Sequence, residues 1–119
     1  MPFKRILTEL VDAVPGATGA ILADWEGEAV EQHALMDDYE IKIIGAHKGI
    51  LLAHLKALQE RLSGGAVLDA VITTAGIRAI VGPVGDDYSL VMTLERGAIP
   101  GRALIHFRSA VECLAKEIY

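Results

Sequence analysis

Along the first fifteen residues Phe3, Ile6, Leu7, Leu10, Val11 and Val14 recur at three- and four-residue steps, the spacing of one apolar stripe on a helix. Pro15-Gly16 ends that stripe, as a proline and glycine pair does in a helical pattern. Two extended runs follow, 17–24 and 28–33, joined through Gly27, which permits the positive φ of a tight hairpin turn. Asp37 then precedes a long helical pattern and Glu40 stands three residues later. One carboxylate can accept from free backbone amides while the other reaches back. The pattern predicts a helix from about 38 to 62, closed by Ser63-Gly64-Gly65. Three more extended runs, 66–74, 77–84 and 88–94, are separated by Ala75-Gly76 and Gly85-Asp86-Asp87, connections too short for anything but antiparallel hairpins. A last helix starts near Pro100-Gly101 and carries Leu104, Phe107, Val111, Leu114 and Ile118 on one stripe.

The strands say how the layers stack. In the third run Leu68, Ala70 and Ile72 point one way and Val67 and Val71 the other; in the fifth, Leu90, Met92 and Leu94 oppose Val91. Both faces are apolar, so helices are expected on both sides of the sheet. The prediction is an α+β fold: a three-layer α/β/α sandwich around a five-stranded antiparallel sheet, in the order α-β-β-α-β-β-β-α, as one domain over 1–119. Pro83 cannot donate to a ladder and suits the end of the fourth strand. The third strand is predicted as an edge: its hairpin partner occupies one side, and only Asp69 blunts the other.

The long central helix has two apolar sides. Ile44, Leu51, Leu55, Leu58 and Leu62 suffice to pack on a sheet. Nearly opposite lie Tyr39, Ile43, Ala46, Ile50, Ala53 and Ala57, spaced four, three, four, three, four. That is a heptad seam whose alanines permit close approach of another helix. A loop could cover this face, but none here is long enough; a second copy of the same helix is the natural occupant. With Asp69 and Val71 of the third strand, these six residues make the predicted dimer interface.

Composition agrees with a partner-binding surface. An apolar fraction of 52% and a mean hydropathy of +0.38 exceed what a small monomer usually needs. Eleven basic against sixteen acidic residues give a net charge of -5 without a Lys/Arg cluster, which disfavours nucleic acid and anionic lipid. The single Cys113 forms no internal disulfide, and no stretch has the order of a signal peptide. Apolar runs are broken well short of the ~20 residues that span a bilayer. A cytoplasmic protein without membrane insertion is expected.

No catalytic signature appears. There is no G-x-x-x-x-G-K-[ST] loop, and Gly76, Gly82 and Gly85 read as turn glycines at strand ends. His33, His47, His54 and His106 show neither H-E-x-x-H nor paired cysteine spacing, and His47 and His54 flank the seam. Cys113 lacks the clustered cations that would lower a thiol pKa and reads as a buried free thiol. Asp24, Glu26 and Glu28 read as turn chemistry and not as a calcium loop. Arg61, Arg78, Arg96 and Arg102 are scattered and read as solvated. The residues therefore point to an interaction domain with no catalytic, cofactor or metal site.

The segments F-x-x-I-L-x-E-L-V (Phe3 to Val11), V-P-G-A-x-G-A-I-L-x-D-x-x-G-E (Val14 to Glu28), I-T-T-A-G (Ile72 to Gly76) and V-G-x-x-Y-x-L-V (Val84 to Val91) resemble the roadblock family of dynein light chains over essentially the whole chain. The resemblance implies a profilin-like sheet with the long helix on one face and both terminal helices on the other. It implies dimerisation through the long helix and through edge-to-edge pairing of the third strands. Bacterial and archaeal members are typically partners of Ras-like GTPases, some of them GTPase activators in gliding motility and polarity; eukaryotic members are dynein or lysosomal scaffold subunits. The implied function is a non-catalytic homodimeric regulator or scaffold of a small Ras-like GTPase. Lys42, Lys48 and Glu60 are then polar residues of the docking platform, and Arg61 is the arginine placed to reach a partner. The same layered fold also admits a small-molecule sensor or a purely structural adaptor. A sensor needs polar groups turned into the core, for which Thr73 and Thr93 are the candidates.

Overall fold

The computed structural model describes residues 2–24, 26, 28–35, 68–73 and 75–119. Within them the chain runs α1 (Pro2–Ala13), β1 (Ala17–Asp24), β2 (Ala29–Ala34), β3 (Ala70–Thr73), β4 (Ile77–Val84), β5 (Tyr88–Glu95) and α2 (Pro100–Ile118). The expected helix over 38–62, its Asp37/Glu40 cap and Gly27 lie outside the described residues.

The five strands form one antiparallel sheet of order β2-β1-β5-β4-β3. The short connections make the predicted hairpins, and β3 is an edge, as its single hairpin partner implied. β3 is shorter than the expected 66–74, with Leu68 and Asp69 preceding it outside the ladder. Asp69 is held instead by Arg108 of α2. β4 meets β3 over Arg78 to Val81, so Pro83 lies past the last β3 partner, where a missing amide breaks no bond to that strand.

The alternation along the strands divides the core in two. Leu7, Leu10 and Val11 of α1 and Ala103, Phe107, Ala110 and Leu114 of α2 pack on Ala20, Leu22, Ile80, Val84, Leu90, Met92 and Leu94. Both terminal helices thus share one face, as the resemblance implied. Ile21, Val81 and Val91 turn to the opposite face and are buried there as well, so the sheet is apolar on both sides. Full burial of one such Leu, Ile or Phe contributes about 1.5–3 kcal/mol.

Three residues depart from their expected settings, Gly82, Cys113 and Thr73. Gly82 is not a turn glycine: it lies inside β4, where a Cβ would come within 2.8 Å of Leu68 O and 2.8 Å of Phe107 Cε1. It is the gap that lets the Phe107 ring lie against the sheet. Gly85, with φ +66°, is a turn glycine as expected. Cys113 is exposed, not buried; it stands one residue, about 100° of helix, from Leu114 on the buried line of α2. Thr73 is exposed at the end of the edge strand β3 and not turned into the core. Thr93 is buried, shares a 2.8 Å hydrogen bond with the Thr18 hydroxyl and donates to Gly19 O at 3.5 Å.

Candidate interaction surface

β3 presents one side to β4 and, among the described strands, none to the other, leaving a row of backbone donors and acceptors of the kind that pairs with another chain. The apolar side chains along it are unusually open: Leu68 is 72% exposed and Val71 41%. From α2, Arg108 reaches the residue that leads into β3. Its Nε donates to Asp69 Oδ2 at 2.8 Å and its Nη2 to Oδ1 at 3.4 Å. The Asp69 side chain is 13% exposed against 59% for Arg108. Hydrogen bonding to Asp69, and then its charge, raise the Arg108 pKa above its ordinary value, so the guanidinium stays charged at any practical pH.

This pair changes the role expected for Asp69. The carboxylate is folded against α2 and does not stand on the edge as a bare charge, so it deters an incoming strand less than its sequence position suggests. Of the predicted dimer interface, Asp69 and Val71 are described and adjoin the β3 edge; Tyr39, Ile43, Ala46, Ile50, Ala53 and Ala57 lie outside the described residues. So do the partner-binding candidates Lys42, Lys48, Glu60 and Arg61.

Elsewhere the surface offers turn chemistry. Asp24 Oδ1 accepts from the amides of Glu26 at 3.0 Å and Glu28 at 2.9 Å, the turn role expected of it. Arg78 is half-buried and not simply solvated, donating from Nη1 to Ala98 O at 3.1 Å. Clefts of about 330 Å³ beside Gly16, Ala98 and Arg102, and of about 190 Å³ between α1 and α2 beside Cys113, lie at the surface. Among the described residues no three His, Cys, Asp or Glu side chains gather as a metal site, and no helix is long and apolar enough to cross a membrane.

No protein-family profile matches the chain, and no curated protein does. Solved structures do. The Roadblock/LC7 domain from Streptomyces avermitilis aligns with a TM-score of 0.87 at 20% identity, over 97% of this chain and 96% of that one. The fold is that of a Roadblock/LC7 domain. The gliding protein MglB from Thermus thermophilus shares it at a TM-score of 0.85 and 20% identity, over 97% and 87% of the two chains. Profilin II from Acanthamoeba castellanii follows at 0.66 and 12%, over 98% and 99%, which makes the Roadblock/LC7 architecture here profilin-like, as expected. The features that sequence patterning missed at this surface, the Asp69–Arg108 pair and the opening at Gly82, join residues far apart in the chain. One local signal was present: a glycine inside the apolar run Ile77 to Val84, away from either hairpin turn, marks a close approach.

Proposed function

We propose that the protein is a non-catalytic homodimeric regulator or scaffold that binds a small Ras-like GTPase, the chain acting as one roadblock domain in the cytoplasm. The likeness to a gliding protein, MglB, over 97% of the chain is the observation that carries this reading, together with the GTPase partnership that the roadblock resemblance implies. The open β3 edge and its exposed Leu68 and Val71 support self-association through β3, with the Tyr39 to Ala57 seam as the second contact. Lys42, Lys48, Glu60 and Arg61 are the proposed docking residues.

Such a protein stimulates hydrolysis only through its partner. It has neither a phosphate-cradling glycine loop nor a lysine set in one, so its contribution is to hold the partner's switch residues in their reactive arrangement. The test is retention of proteins from a lysate loaded with GDP or with a non-hydrolysable GTP analogue. A Ras-like GTPase held in one nucleotide state is the expected result. Retention of no such GTPase in either state overturns the proposal.

A further inference from the structure

The two edges of the sheet are chemically unlike. β2 is the outermost described strand on the side opposite β3, and its register shows which backbone groups face outward. The Leu35 amide donates to Thr18 O at 2.8 Å, and the pairing continues Gly19↔Ala34, Ala20↔His33, Ile21↔Gln32 and Leu22↔Glu31. Hydrogen-bonded and non-hydrogen-bonded pairs alternate along an antiparallel ladder. His33 and Glu31 therefore bond inward to β1, as Leu35 does, and the N–H and C=O of Gln32 point away from it.

Both of these outward groups are engaged by the protein's own charged side chains. Glu31 Oε1 accepts the Gln32 N–H at 3.1 Å. The ammonium of Lys4, reaching across from α1, donates to the Gln32 carbonyl. Gln32 is the fourth residue of a six-residue strand, so a chain adding along β2 must either displace both contacts from the middle of its ladder or bury two charges there. Without them the strand would be inviting: it contains no proline, Val30 is 42% exposed, and Leu35 just beyond it is 72% exposed. At β3 the nearby charge is disposed in the opposite way, with Asp69 drawn onto α2 by Arg108.

We propose that Lys4 and Glu31 together cap the β2 edge against a second copy of this chain, so that self-association runs through β3 and stops at two copies. The limit of two rests on the dimer proposed above; the cap does not. Two copies joined at β3 carry a β2 edge at each end, and pairing at those ends would link dimers without limit, since two alternating two-fold contacts make an open chain. Blunting an edge with a lysine and a carboxylate is a general device against such growth.

Sedimentation velocity over a hundredfold range of concentration tests this on three proteins: wild type, Lys4→Ala/Glu31→Ala, and Lys4→Arg/Glu31→Gln, which keeps a donor and an acceptor. The alanine pair should form species heavier than wild type at concentrations at least tenfold lower, while the Arg/Gln pair sediments as wild type does. An alanine pair with a native circular-dichroism spectrum that matches wild type throughout overturns the cap. A monomeric wild type would sink the dimer reading, and the alanine pair should still associate beyond it; a dimer unaffected by the substitutions would sink the cap and leave the dimer standing. Should the alanine pair fail to fold, amide exchange on wild type decides: Gln32 N–H should exchange at least tenfold more slowly than the next outward amide along the strand, Ala34 N–H. Equal rates overturn the cap.

Discussion

Replacing Gly82 by alanine adds one methyl group at the most crowded point between sheet and helix. Its Cβ would stand 2.8 Å from Leu68 O, 2.8 Å from Phe107 Cε1 and 3.2 Å from Phe107 Cζ, and Phe107 is fully buried. A backbone carbonyl and an enclosed ring cannot both swing aside, so the strand or the helix must shift. Overpacking of this kind costs about 1–3 kcal/mol. Losing a glycine from a strand interior returns roughly 0.5–1 kcal/mol. The net is a destabilisation centred near 1 kcal/mol and reaching about 2.5 kcal/mol, which at the centre lowers the melting temperature by roughly 4 °C in a domain of this size. Gly76, with nothing within 4 Å of a built Cβ, is the control, and Gly76→Ala should change stability by less than about 0.5 kcal/mol. Urea and thermal unfolding followed by circular dichroism measure both. Because the new methyl meets the Phe107 ring, Phe107→Leu should cost less in the Gly82→Ala background than in wild type, a coupling of about 0.5–3 kcal/mol. A Gly82→Ala protein as stable as wild type, with no coupling to Phe107, would refute the close approach of Phe107 to β4.

Thr93→Val removes the hydroxyl shared with Thr18 from a fully buried site and should destabilise the fold by about 0.5–1.5 kcal/mol, read from the urea midpoint at unchanged slope. Ile43→Asp/Ile50→Asp places two carboxylates on the sequence seam and should convert a dimer to monomer or aggregate on a light-scattering column. In a phosphate-release assay with the captured GTPase, Arg61→Ala should preserve any stimulation, and the Ile43/Ile50 double variant should abolish it; loss on Arg61→Ala with binding intact would show a donated arginine at work.

Periodicity made most of the fold legible because β1, β4 and β5 bury side chains on both faces. Leu90, Met92 and Leu94 against Val91 already oppose one another in sequence, and they divide between the two halves of the core. The stripe on α1 was equally plain, since Leu7, Leu10 and Val11 meet the sheet directly. On α2 the buried line runs through Ala103 and Ala110, small residues that a search for large apolar ones passes over, which displaced the expected stripe toward Leu104 and Val111. What spacing does not carry is tertiary proximity. Arg108 meets Asp69 from 39 residues away and Lys4 meets Gln32 from 28, and no local pattern announces either. Thr73 shows the same limit: its place on an edge strand was readable, but its exposure there was not. The candidate surface was legible in part, through the edge position of β3, while the charges that favour one edge over the other needed the fold.

Light scattering coupled to size exclusion weighs the proposed assembly most directly, on the protein by itself and mixed with the captured GTPase bound to a non-hydrolysable GTP analogue. The chain has a mass of 12.7 kDa. A homodimeric GTPase-binding module elutes at twice that mass at all loadings, and the mixture gains the mass of the GTPase in one nucleotide state only. A 12.7 kDa species whose mass does not change when the loaded GTPase is added would contradict it.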